Sequence, residues 1–176
     1  MITFLKAEEQ HQHSNGGGWV ANTAVVAASA YIGPDARVFG NALVYGNAQV
    51  FGNAQVYGDA WVFGNALVYG DALVYGNARV FGDARVFGNA QVYGNARVYG
   101  NAQVSGNAWV SSPLYIQGTR HSLTNSKYGY IKIGCYEHTF TYWQEHYKAI
   151  GRAEGYTPEE IDQYGLFIRL FAKIGK

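Results

Sequence analysis

Residues 38 to 103 read VFGNAL VYGNAQ VFGNAQ VYGDAW VFGNAL VYGDAL VYGNAR VFGDAR VFGNAQ VYGNAR VYGNAQ, one hexad written eleven times without interruption. The aliphatic phase extends further, from Val20 to Ile116, with Val or Ile at every sixth position and Ala two residues before most of them. A period this short excludes helical repeats, whose units are several times longer. Strand-forming Val, Tyr and Phe separated by Gly-Asn or Gly-Asp predict short strands joined by tight corners around a solenoid.

Side chains alternate along a strand, so in A-x-V-[FY]-G the Ala and Val share one side and x and the aromatic share the other. The uniform small-plus-aliphatic pair fits the inside of a narrow prism, where it can stack from coil to coil at interior density. The rings are therefore expected outside. Gly and Asn or Asp turn the corner, with a positive φ cheap for Gly and tolerable for Asn or Asp.

The pairs Val38 with Ala42 and Val44 with Ala48, continued to Val104 with Ala108, resemble the signature of the hexapeptide-repeat family: an aliphatic residue followed four positions later by a small one. The resemblance implies a mainly β fold, a left-handed parallel β-helix of triangular section with three hexads per coil. It implies little about function, because that scaffold serves acyltransferases, γ-class carbonic anhydrases and non-catalytic proteins alike.

Three segments are expected. Residues 1–17 lie outside the repeat and form an N-terminal cap over an open sheet edge. Residues 18–118 form the β-helix, with Leu114 and Ile116 still in register. Residues 119–176 form an α+β module with a strand pair and a helical hairpin. In that module Phe140, Trp143, Tyr147 and Ile150 repeat at helical spacing after a Thr141/Gln144 capping box, and Gly155 ends the helix. Thr157-Pro158-Glu159-Glu160 opens a second helix, whose stripe is Ile161, Tyr164, Ile168 and Phe171.

The tail also resembles a C-terminal module of hexapeptide-repeat proteins from phages and prophages. The matching elements are Gly118-Thr119-Arg120, the turn Ile133-Gly134-Cys135-Tyr136 and the helix starting at Thr139. This resemblance implies a viral or prophage setting and transfers no activity.

A net charge of +1 over 176 residues disfavours long nucleic acid as a partner. The single Cys135 suits a reducing compartment, and no apolar run is long enough to span a membrane or to act as a leader. The expected location is the cytoplasm, that of the host cell if the protein is phage-encoded.

Catalysis on such a scaffold needs a base in the prism or three histidines on zinc. Between Val20 and Ile116 there is no His, Cys, Glu or Lys, and Asp35, Asp59, Asp71 and Asp83 all fall at corners. Hence no catalytic residue, cofactor or metal is expected, and His11-x-His13 reads as a solvated terminus. A thiol three residues before a His and close to a helix start leaves Cys135 and His138 as a candidate reactive pair, set against a small buried Cys in a Gly-Cys turn.

Stacking residues 18 apart predicts three outer faces. One carries Leu43, Trp61, Arg79, Arg97 and Tyr115 beside Tyr45, Phe63, Phe81 and Tyr99. A second carries Trp19 to Trp109 beside Phe39, Tyr57, Tyr75 and Tyr93, and the third carries Tyr31 to Gln103 beside Phe51, Tyr69 and Phe87.

So much ring surface predicts self-association, and the family resemblance suggests trimers. Arg79 and Arg97 among Trp61, Phe63, Phe81 and Tyr99 suit a base stacked on rings with phosphate on guanidinium, and Arg120 and His121 are further polar candidates. The expected function is a non-catalytic binding protein that blocks a host protein or sequesters a nucleotide-like ligand, as an anti-defence factor would. The alternatives are an acyltransferase-like enzyme using His121 or His138, and a structural virion component.

Overall fold

The computed structural model describes residues 9–176; residues 1–8 of the expected N-terminal cap lie outside the described residues. The described chain divides into two compact units. One is the solenoid up to Ser112; the other is Pro113–Lys176, which also takes in Ala102–Val104.

The solenoid is a parallel β-solenoid of about five turns, its strands mostly two residues long. Each strand pairs with those one coil before and after it. One sheet runs through Arg37–Val38, Gln55–Val56, Leu73–Val74 and Gln91–Val92, a second through Leu43–Val44, Trp61–Val62, Arg79–Val80 and Arg97–Val98, and a third through Tyr31–Ile32, Gln49–Val50, Leu67–Val68 and Arg85–Phe87. The register sets Val on Val, as in Val44 against Val62 and Val68 against Val86. Every Ala and Val of the inner column from Ala30 to Val104 is buried, as the alternation requires.

Corners are hydrogen-bonded as well as strands. Leu43, Tyr45 and Asn47 donate their N–H groups to the carbonyls of Ala60, Val62 and Gly64 at 2.8–3.0 Å, so the ladder continues through the turn. Only glycine takes the left-handed conformation among the described residues; Asn and Asp do not share it. At Gly64 (φ +74) a Cβ would stand 3.1 Å from Gly82 N, so stacking as well as φ demands glycine there. The Asn and Asp side chains stack instead: Asn41 donates to Asp59 (3.1 Å), Asn53 to Asp71 (2.9 Å) and Asn65 to Asp83 (3.0 Å). Asp59, Asp71 and Asp83 each follow an Asn one coil earlier and precede another one coil later, so no two of these carboxylates meet on a corner.

The first coil is covered by residues 10–18. Gln10–Gln12 adds an antiparallel strand to Trp19–Ala21, which leaves a polar edge in place of an apolar one. Gly18 N–H donates to Ile32 O at 2.9 Å and Asn15 accepts from Ile32 N–H at 3.0 Å. His13, in the connection between these two antiparallel strands, is buried with Nδ1 3.2 Å from Asn15 O, which corrects its reading as solvated; His11 is exposed.

The last coil departs from the repeat. Gln91 pairs with Ala108 and Val92 with Trp109, one residue earlier than the 18-residue spacing demands. Trp109, expected outside, is fully buried, whereas Ala108 is exposed and Val110 is half exposed. A one-residue slip exchanges the two faces of a strand, and here it brings a large ring inside.

A second correction concerns the end of the repeat. Tyr115–Gln117 does not continue a parallel sheet; it pairs antiparallel with Ser122–Lys127, so Tyr115 leaves the Arg79/Arg97 column and the second unit begins at Pro113. Proline ends the coil because it cannot donate to a ladder.

In the second unit a four-stranded antiparallel sheet, Tyr115–Gln117, Ser122–Lys127, Tyr130–Ile133 and Tyr136–Thr139, is followed by α1 (Phe140–Ala153) and α2 (Pro158–Ile174). The expected strand pair thus grows to four. Helix α1 is capped by Thr139, which accepts from Tyr142 N–H, and not by Thr141 as expected. The Thr157/Glu160 capping box of α2 forms as read. Leu123, Ile131, Ile133, Trp143, Tyr164, Ile168 and Phe171 make the core of this unit.

Candidate functional site

On the outer faces the rings form three unbroken ladders. Phe39, Tyr57, Tyr75 and Tyr93 stack with centroids 4.7–5.0 Å apart and planes within 3°. Tyr45, Phe63, Phe81 and Tyr99 stack at 4.9–5.5 Å with planes within 16°, and Phe51, Tyr69 and Phe87 at 5.0–5.3 Å with planes within 9°. These spacings are set by the strand separation of about 4.8 Å. Ring faces are therefore covered by neighbouring rings, while their edges stay outward and most of the rings are half-buried.

Beside the Tyr45–Tyr99 ladder, Arg79 lies over the Trp61 ring at 4.6 Å, and Arg97 is in strand register with Arg79. The structure thus brings Trp61, Phe63, Arg79, Phe81, Arg97 and Tyr99 to one face. Part of the attraction Arg79 could offer a ligand is already directed at Trp61.

Arg120 and His121 belong to the second unit, in the turn after Tyr115–Gln117. The Tyr164 hydroxyl holds that turn: it accepts from the N–H groups of Arg120 (3.1 Å) and His121 (2.7 Å) and donates to His121 O (2.7 Å). Arg120 Nε donates to Glu160 Oε1 at 2.8 Å and its guanidinium lies 4.7 Å from the centre of the Tyr156 ring. The hydrogen bond from Arg120, aided by Thr157 N–H, holds the Glu160 carboxyl below its ordinary range. Burial pushes Tyr156 up to about 12. Sequence patterning gave no signal for Tyr164 or Glu160 as partners of this turn, because both act across some forty residues of chain.

Cys135 and His138 are separated by the geometry. Cys135 is exposed in the two-residue turn after Ile133, whereas His138 lies on the strand Tyr136–Thr139 with its ring 4.1 Å from Tyr142 and 5.4 Å from Trp143. The extended strand that follows Cys135, five residue steps at about 3.3 Å each, holds it roughly 16 Å from the start of α1 at Phe140. Among the described residues no three His, Cys, Asp or Glu side chains gather as a metal-binding group, and no helix is long and apolar enough to cross a membrane.

Continuous inner Val and Ala columns, glycine corners and outer ladders define a repeat-built parallel β-solenoid protein. Its repeats are similar to the YdcK β-solenoid repeat, which matches residues 36–52, 48–63, 54–70, 72–88, 78–92 and 90–106. The likeness lies within residues 36–106 of the solenoid and leaves the residues before 36 and after 106 unmatched. No curated protein and no solved structure matches the chain.

Proposed function

We propose that the protein is a non-catalytic, self-associating binding protein whose solenoid faces are its contact surfaces. The observation that carries this reading is the set of three in-register ring ladders running along the outside of the solenoid. Soluble monomers seldom leave contiguous apolar patches larger than a few hundred Å² in water, so a face built this way favours burial against another copy. Side-by-side trimers, as in the hexapeptide-repeat proteins that the sequence resembles, cover one or two faces of each subunit and leave grooves between them.

Such a groove, with Arg79 and Arg97 beside Phe63, Phe81 and Tyr99, suits a nucleotide-like ligand: rings stack on the base and guanidinium meets phosphate. The tail's resemblance to phage and prophage modules supports a host-directed, anti-defence role in the host cytoplasm.

Sedimentation at micromolar concentration tests the assembly, with a trimer, or at least a dimer, expected and a monomer overturning it. The Arg79→Ala/Arg97→Ala double variant should fold and assemble normally yet bind nucleotides at least tenfold more weakly, since a charge-assisted contact contributes about 1.5–3 kcal/mol. Acetyl-CoA turnover abolished by His121→Ala would overturn the non-catalytic reading.

A further inference from the structure

The second unit carries a half-open pocket of about 300 Å³ that runs from its hydrophobic cluster out to the exposed Cys135, Tyr136 and Glu154. Ligand pockets are concave, mostly apolar and begin at about 300 Å³, with a few placed polar groups at the rim. We propose that this cavity, independently of the solenoid faces, binds a small aromatic amine, with its ring among Trp143, Tyr147, Ile150 and Tyr156 and its amino group at Glu154.

The walls are almost wholly apolar and rich in rings; Tyr156 and Tyr164 already meet edge to face at 5.2 Å. A flat apolar body is the shape such walls accept.

The polar groups facing the cavity select the charge. Glu154 is the one acidic side chain among the lining residues. It accepts the Tyr136 hydroxyl at 2.8 Å, and a carboxylate has further lone pairs for a ligand N–H. It is also the C-cap of α1, where the helix dipole adds negative potential. The other titratable lining groups are His121, Cys135 and tyrosines. Arg120 lies on Tyr156 but is paired with Glu160, and Arg152 of the last turn of α1 is exposed and does not line the cavity. An acid would meet Glu154 unopposed, whereas an ammonium group gains both the carboxylate and the helix end.

Tryptamine, indole and indole-3-acetate share one ring system and differ in charge. Calorimetric titration of the full chain should show tryptamine binding at least tenfold more tightly than the other two, and Glu154→Gln should remove that preference. Ile150→Trp should fill the cavity and abolish binding. Should that variant not fold, the wild-type Trp143 indole N–H, donated to Ile131 O at 2.8 Å, provides a resonance that must shift on titration. No tryptamine binding at millimolar concentration, binding that leaves the Trp143 signal unmoved, or equal affinity for the acid or for neutral indole would overturn the proposal.

Discussion

Val92 and Trp109 are register partners seventeen residues apart, whereas the other paired inner aliphatics, such as Val74 and Val92, are eighteen apart. The slip places a ring where a methyl-bearing side chain belongs in every earlier coil. Trp109 fills the inside at the last turn of the solenoid sheet that ends with Ala108–Trp109.

Trp109→Ala should therefore destabilise the solenoid by about 3–5 kcal/mol, the usual range for truncating a buried Trp. Denaturant unfolding followed by far-UV circular dichroism measures it. A loss below about 1 kcal/mol would show that Trp109 is not the inner residue of the last coil.

Two corner glycines separate backbone strain from crowding. Gly64 and Gly88 both have positive φ (+74 and +59), but a Cβ at Gly64 would crowd Gly82 N at 3.1 Å and one at Gly88 would meet nothing within 4 Å. Gly88→Ala should cost about 1–2 kcal/mol for the left-handed conformation alone. Gly64→Ala should cost clearly more, and equal losses in thermal unfolding would contradict the stacking of corner on corner.

The Arg120–Glu160 pair gives the second unit an acid-sensitive element. Glu160 is held below the ordinary carboxylate value of 4.5 by Arg120 and then by Thr157 N–H, so its folded pKa lies below its unfolded one. Its contribution is then complete above about pH 4.5 and is lost as pH falls through the folded pKa. Glu160→Gln should flatten the fall in thermal stability of this unit below pH 4.5 while leaving stability at pH 7–9 without slope. An unchanged acid profile would remove Glu160 from the account.

The six-residue period determined the solenoid, its inner Val and Ala columns and the facing of its rings, because in a two-residue strand the alternation leaves only one way to hide the small side chains. The helical stripes and the Thr157/Glu160 box were legible for the same local reason: each is written within a few residues. Trp109 was not legible, since its hexad keeps Val104, Gly106, Asn107 and Ala108 in phase, with only Ser105 replacing the ring, and it is the pairing with Val92 that moves it inside. Nor were the hold of Tyr164 on the Arg120–His121 turn, the pairing of Tyr136 with Glu154 and the cavity beside them. These join residues that the chain keeps far apart, and tertiary packing alone decides which of them meet.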